Sequence, residues 1–483
     1  MCLVKTAAGA SKGAKAVPSD QANAKLQSGK DEANEPTWGR NKHVKPLTWV
    51  IVAFLLFFAP VIVEYVVVCM TQYDGALSGP INDLFLAEET ITFSEFLIEK
   101  VYKPIAEPEG FFLQTAKIYV TWLLFQALLA VTVPGPIGYG QSTPAGHKLE
   151  YLVNGLNCWV VTHIFFVVGA WGFGWWKPTI IYDHWAQLSI CMHLYGFALS
   201  LFCYIKAFVA PTHAGDVKTS DSMVFNFFMG VEFNPRIGSL DFKLFHNGRI
   251  GIILWTLVNI SCAAAQYERH GDITNSMIMV NIGHAVYVLD FFFNEDWYLR
   301  TIDICHDHFG FYLAWGDAVW LPIMYALQSP FMVTHPHELN TNEVVVISAF
   351  FCLGYYIFRD VNHQKDIFRS SNGKALIWGK KATYIDATYV TADGSTRNSS
   401  LLLTSGWWGV ARHSNYLADL LMSLCFCLVT GYTHALPYFY ICQMICLLVG
   451  RIYRDEGRCK GKYGKFWDEY CAQVPYRLIP GIW

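Results

Sequence analysis

Two stretches of this sequence gather the residue types that carry protons, metals or anions. The first is Asn294-Glu295-Asp296-Trp297-Tyr298-Leu299-Arg300-Thr301-Ile302-Asp303-Ile304-Cys305-His306-Asp307-His308-Phe309-Gly310, set between two apolar runs. Ionisable groups at membrane depth are expensive, so such a cluster is a functional candidate by default. The bland alternative is a solvated interfacial loop. Cys305, His306, Asp307 and His308 could each ligate a metal, as could His335 and His337. Adjacent side chains on a helix diverge, however, and zinc sites space their ligands further apart, so no metal is expected.

The second stretch is cationic. Lys365 and Arg369 stand at i, i+4 and share one helix face. Arg412, His413 and Arg454 add positive charge, interleaved with Trp378, Trp408, Tyr416, Tyr463 and Tyr470. A cytosolic excess of Lys and Arg explains part of this cheaply. The aromatic interleaving adds something else: phosphates suit the cations and an adenine suits a ring face, as a dinucleotide requires. No G-x-G-x-x-G follows a strand. Gly169, Gly172 and Gly174 lie in an apolar run, and Gly135, Gly138 and Gly140 in a Pro-rich loop. A Rossmann domain is therefore excluded, and membrane-helix ends and loops must hold any dinucleotide.

The elements that must position these groups are helices in lipid. Of 483 residues, 53% are hydrophobic and 15% charged, against roughly 25% charged in soluble domains. A bilayer core takes about 20 apolar residues per helix. The expected architecture is an all-α polytopic membrane protein of about ten transmembrane helices. The candidate spans are 47–70, 111–133, 151–175, 187–211, 249–265, 276–294, 309–333, 343–358, 414–430 and 434–450. No internal repeat supports an inverted-repeat transporter. The net charge of −3 gives no basis for a nucleic-acid partner. Residues 1–46 read as a disordered tail. Lys and Arg at both ends place both termini in the cytosol. Long polar stretches fall at 212–248 and 359–413. Within the second, Ala382–Ser399 alternates around Asp393-Gly394 as a β-hairpin would. Most of the 14 cysteines lie in apolar runs and read as buried thiols.

Three runs then resemble a known family. Leu447-Leu448-Val449-Gly450-Arg451-Ile452-Tyr453-Arg454-Asp455-Glu456-Gly457-Arg458-Cys459-Lys460-Gly461-Lys462-Tyr463-Gly464 is similar to the C-terminal signature of the sterol reductases acting at ring double bonds, the sterol C14/Δ7/C24(28) reductase family. Phe227-Phe228-Met229-Gly230-Val231-Glu232-Phe233-Asn234-Pro235-Arg236-Ile237-Gly238 resembles their other signature. Gly406-Trp407-Trp408-Gly409-Val410-Ala411-Arg412-His413-Ser414-Asn415-Tyr416 is a third match. Ile302–Gly310, Asn362-His363-Gln364-Lys365-Asp366 and the ending Val474–Trp483 resemble the Δ7-reducing branch most. The likeness covers roughly Leu47 to Trp483.

The resemblance implies a ten-helix, multi-pass enzyme of the endoplasmic reticulum membrane that uses NADPH to reduce the C7–C8 double bond of a sterol 5,7-diene. The alternatives are a C14-reductase or a non-enzymatic sterol-binding membrane protein. It divides 47–483 into mainly sterol-side helices, 47–358, and a cytosol-facing, mainly NADPH-binding half, 359–483. The family's cofactor contacts fall on Lys365, Arg369, Leu403, Trp408, Asn415, Tyr416, Asp455, Cys459, Lys462, Tyr463 and Tyr470. Lys460 and Gly461 match the family less well. The sterol would enter from the bilayer, among membrane lipid. Association with other sterol-biosynthetic membrane enzymes is compatible with such a role.

Reducing an unactivated alkene requires protonating one carbon and delivering hydride to the other. A general acid kept neutral by burial, or a His relay, must therefore stand near the sterol. The candidates are Asp307, Glu232, Asp303 and His308, with Tyr298 as an outsider. Trp315 or Trp320 could face the developing cation. Structural roles compete: Glu232 could pair with Arg236 at i, i+4, and Asp317 could start a helix.

Overall fold

The computed structural model describes residues 43–87, 90–143, 145–390 and 397–483. The expected disordered tail, except for 43–46, lies outside the described residues. So does the Asp393-Gly394 turn.

Eight helices are long and apolar enough to cross a bilayer: α1 Pro46–Gln72, α2 Phe111–Thr132, α3 Gly155–Gly172, α4 Trp185–Val209, α5 Phe242–His270, α6 Asn275–Phe293, α7 Thr341–Ser370 and α9 Leu436–Tyr463, with α8 Ser414–Leu428 shorter at 15 residues. The seventh expected segment, 309–333, is a chain of short helical pieces: Phe311–Trp315, Gly316–Trp320, Leu321–Met324 and Gln328–Thr334. Pro322 and Pro330 lie within it and cannot donate to a continuous backbone ladder. The pieces are almost wholly buried, so other helices supply the partners that a broken helix in lipid requires.

Several helices outrun their apolar stretches. Helix α5 begins at Phe242, not near 249, because Asp241 caps it: its carboxylate accepts from the Leu244 amide at 2.9 Å. Helix α7 starts at an Asn340/Glu343 capping box and continues past the apolar residues through Arg369. Helix α9 likewise carries the charged run to Tyr463. Helix α5 is the central strut, with 78% of its apolar window buried against 17–50% for the other seven. Every cysteine among the described residues is a free thiol.

Strands β1 Ile137–Ser142 and β2 Lys148–Leu152 form one antiparallel hairpin, and β3 Tyr384–Val390 and β4 Arg397–Leu403 form the one expected around 382–399. Loop contacts separate the bundle into two ends. At one end Arg236 donates to Glu150 O at 2.9 Å and stacks on Tyr151, while His43 meets Asp221 at 3.0 Å. At the other, Asn275 donates to Leu339 O at 2.8 Å, Gln266 to Met332 O at 2.7 Å, and the His335 and His434 rings lie 4.5 Å apart.

One ion pair joins three elements at the first end. Arg249 on α5 meets Glu295 at 2.6 Å, their side chains 2% and 1% exposed. Arg249 also donates to Asn154 Oδ1 at 2.8 Å, and Glu295 accepts from the Gly155 amide at the start of α3, also at 2.8 Å. Removing one member strands the other charge in a dry site, at a cost of about 3–5 kcal/mol. Arg249→Met should therefore lower the melting temperature of the detergent-solubilised protein sharply. Adding Glu295→Gln should recover part of the loss, as read by intrinsic fluorescence.

Candidate active site

The charged half of α9 has two working faces. Arg451 and Arg454 turn toward the 302–308 loop. Asp455 and Cys459 turn toward α7.

On the first face, Arg451 pairs with Asp303. Arg454 Nη1 lies 3.8 Å from Asp307 Oδ2, and its guanidinium sits 5.7 Å from the Tyr312 ring. Asp307 Oδ2 is buried and has no hydrogen-bond partner among the described residues. Burial, helped by the Asp303 charge, raises the Asp307 carboxyl above the usual carboxylate range, opposed by Arg454, Lys243 and Arg451. Burial pulls the neighbouring His306 down to about 4, so it stands there as neutral imidazole. His308 is buried against Phe233, with ring centroids 5.3 Å apart.

Glu232 does not pair with Arg236. It accepts from Lys206 at 3.0 Å and from the Thr212 amide at 2.6 Å, while Arg236 meets Asp241 at 2.9 Å. The reason is backbone geometry: 230–235 is not helical, so the i, i+4 spacing does not hold. That run is pinned to the acid loop. The Phe309 amide donates to Glu232 O at 3.1 Å, and a Cβ on Gly310 would stand 2.0 Å from the Gly230 nitrogen. The two signatures cross at a point with no room for a side chain. Trp315 donates to His193 Nδ1 at 3.1 Å, and Trp320 packs beside Phe439. Tyr298 packs on Phe291.

On the second face, Lys365 Nζ sits 4.1 Å from the Trp408 ring centroid. Its electrostatic neighbours are Arg369, Asp455, Cys459 and Arg458. Among the described residues no carboxylate lies within 4.0 Å of the Lys365 ammonium. Trp408 is fixed from both sides: its indole donates to Val361 O at 2.9 Å, and Tyr470 OH donates to Trp408 O at 3.3 Å. Leu403 packs beside it with Val361 and Phe368. Tyr463 and Tyr470 pack with Ile385 and Leu402 of the hairpin, and Cys459 abuts that cluster. Lys462 lies 4.3 Å from the Tyr389 ring. Tyr416 stacks on His413 at 5.2 Å, and Asn415 Oδ1 is buried without a hydrogen-bond partner among the described residues. Asp455 is paired with Arg458 and Lys460 with Asp468. Arg369 is exposed at the end of α7, and Trp378 leans on Trp407.

Two of the sequence's cations work elsewhere. Arg454 belongs to the acid loop. Arg412 is 6% exposed and ties down the C-terminal segment: it meets Glu456 at 2.8 Å and donates to Val474 O at 2.6 Å and Pro475 O at 3.1 Å. Glu456 also holds Arg477 at 2.9 Å. Sequence reasoning missed Lys243, which reaches the acid loop from α5, and Asp419 on α8. Asp419 is 7% exposed and accepts from Tyr287 OH at 3.2 Å. An acid inside an apolar helix was the available signal for Asp419.

Comparison with known proteins gives a consistent result. Residues 43–483 match the profile of the "Ergosterol biosynthesis ERG4/ERG24 family". The chain is 48% identical over 466 residues to a zebrafish (Danio rerio) protein named 7-dehydrocholesterol reductase, covering 94% of this chain and 95% of that one. It is 47% identical over 458 residues to the Xenopus laevis protein of the same name, covering 92% and 94%. It is 36% identical over 449 residues to a Delta(14)-sterol reductase of Methylotuvimicrobium alcaliphilum, covering 92% and 96%.

The Arg412 contacts predict a local phenotype. A hydrogen bond to a charged group contributes about 1.5–3 kcal/mol. Arg412→Gln should open the 474–483 segment roughly ten- to a hundredfold more often, seen as faster limited proteolysis there with the helical bundle left intact.

Proposed function

The chain belongs to the ERG4/ERG24 family of sterol biosynthesis, and on that footing we propose that it uses NADPH to saturate the C7–C8 double bond of a sterol 5,7-diene such as 7-dehydrocholesterol. The observation that carries the cofactor reading is the Lys365 ammonium: it sits over the Trp408 ring with Arg369 beside it and no acid in contact. A cation in that state suits a phosphate, and a second cation suits the 2′-phosphate that distinguishes NADPH. Asn415 Oδ1, buried and unsatisfied, is a ready acceptor for an amide or a hydroxyl.

When bound, NADPH supplies hydride. The rest falls to this chain's own groups. Lys365, Arg369 and Lys462 would take the phosphates, and Trp408, Tyr416, Tyr463 and Tyr470 would supply ring faces and hydroxyls. Leu403, Asn415, Asp455 and Cys459 would complete the cradle. A proton must reach one alkene carbon. Asp307 is the donor we favour, because burial raises its carboxyl above the usual carboxylate range and one oxygen has no hydrogen-bond partner among the described residues. Asp303 is committed to Arg451 and Glu232 to Lys206. His308 stands beside Asp307 as its relay. Asp419 with Tyr287 is the rival donor, favoured by its burial near Tyr325 and Tyr440. The sterol enters from the bilayer between the helices of 47–358, and 359–483 forms the cofactor half.

We also propose ten crossings of the endoplasmic reticulum membrane with both termini cytosolic. The loop contacts support it: residue 43 meets Asp221 four spans later, and the 334–339 and 431–434 loops meet the α5–α6 turn or one another. That pattern lets 311–334 and α8 each cross once. The Δ14 relative keeps C14 reduction as the second reading.

Membranes carrying this chain should convert 7-dehydrocholesterol with consumption of NADPH, read by mass spectrometry. Reduction of only a C14-unsaturated sterol would move the substrate to the second reading, and no product from either would end the enzymatic one. Lys365→Ala/Arg369→Ala should raise the KM for NADPH roughly ten- to a hundredfold. Asp307→Asn should lower kcat by about 10²–10⁴ with NADPH still bound. Because the neutral carboxyl donates, wild-type turnover should fall as pH rises through the elevated Asp307 pKa. Full turnover in Asp307→Asn alongside its loss in Asp419→Asn would reassign the donor.

A further inference from the structure

Asp307 lies on a loop held by a side chain outside both sequence signatures. Lys243, second in α5, is 1% exposed. Its Nζ donates to Ile304 O at 2.9 Å and Asp307 O at 2.7 Å, and it lies 4.2 Å from the Phe233 ring centroid. An ammonium has three N–H bonds, and these three partners account for them. Among the described residues no carboxylate lies within 4.0 Å of it. Burying a cation without a contacting counter-ion costs several kcal/mol. Packing therefore does not explain a lysine here.

What the lysine touches does. Its two carbonyl partners bracket Cys305 and His306, so it fixes the turn from which the Asp307 carboxyl departs. Its ring partner, Phe233, belongs to the other signature and packs on His308. We propose that Lys243 is the positioning residue of the proton donor: it clamps the 304–307 turn against the 230–235 segment and places its ammonium behind Asp307. This rests on the reading of Asp307 as donor. The charged and titratable groups facing Asp307 are Asp303 and His306 from its own loop, Arg451 and Arg454 from α9, the Tyr312 phenol and Lys243 from α5.

The test is steady-state turnover of sterol diene and NADPH across pH for K243M, K243R and D307N in membranes. Nicotinamide binding and melting temperature are measured alongside. K243M should hold its melting temperature and its NADPH KM while kcat falls about tenfold or more. Loss of a nearby positive charge favours the neutral carboxyl, so the alkaline limb of kcat should move to higher pH. K243R should restore the limb and part of kcat. Should K243M fail to accumulate, K243Q, which keeps a donor without the charge, should show the same shift. Wild-type kcat and an unmoved limb in K243M, beside an inactive D307N, would overturn the proposal and leave the donor in place. So would a fall in melting temperature and cofactor binding with the limb unmoved. A fully active D307N would instead remove the donor reading.

Discussion

The charged run on α9 is the interaction on which the site depends. A helix turns 100° per residue, so residues three and four apart share a face. Arg451 and Arg454 meet the acid loop, whereas Asp455 and Cys459 are electrostatic neighbours of Lys365. One helix thereby carries both sets of contacts. Its register is set from below by the buried Met444, Leu448 and Ile452 and from above by Glu456, which Arg412 and Arg477 both hold. The C-terminal lock thus sits on the same helix that carries both sets of contacts.

Much of this was legible in the sequence, and the part that was not has a definite cause. Apolar length located the eight helices long enough to cross and the shorter α8, because lipid demands about 20 apolar residues per crossing. It misplaced the ends of α5, α7 and α9, where capping and tertiary partners carry the helix into charged sequence. The Lys365/Arg369 pair and the hairpin at 382–399 were readable because i, i+4 spacing and alternation are local rules. The Glu232–Arg236 pairing failed because it assumed a helix where the backbone is irregular, and Lys206 took the carboxylate from 26 residues away. Lys243 gave no signal, since a lysine near a helix start is ordinary until its partners, 61 and 64 residues on, are known.

The broken segment 311–334 explains why such chemistry fits in a membrane. A continuous helix satisfies its own backbone and offers lipid-filled grooves on all sides. A run of short turns needs neighbours to complete its hydrogen bonds, so it lies in the centre of the bundle. Gln328 reaches Pro437 O at 3.3 Å and Ser329 reaches Asn259 at 2.7 Å. These polar contacts across helices hold open an irregular interior where side chains such as Trp315, Tyr325 and Asp317 can stand away from lipid. The pieces begin at Phe311, directly after Gly310, so the acid loop feeds straight into that interior.

Charge placement at this end also separates two kinds of cation. Arg249, Arg412 and Arg451 each contact a carboxylate and sit where removing either member strands a charge. Lys365 and Lys243 contact none: one faces an indole, the other two carbonyls and a phenyl ring. Guanidinium groups hold the frame because their planar fork meets a carboxylate in a fixed geometry. Lys206, paired with the buried Glu232, holds the frame as the guanidiniums do, whereas Lys243 and Lys365 stand with neutral partners. The cations thus differ by what each one touches.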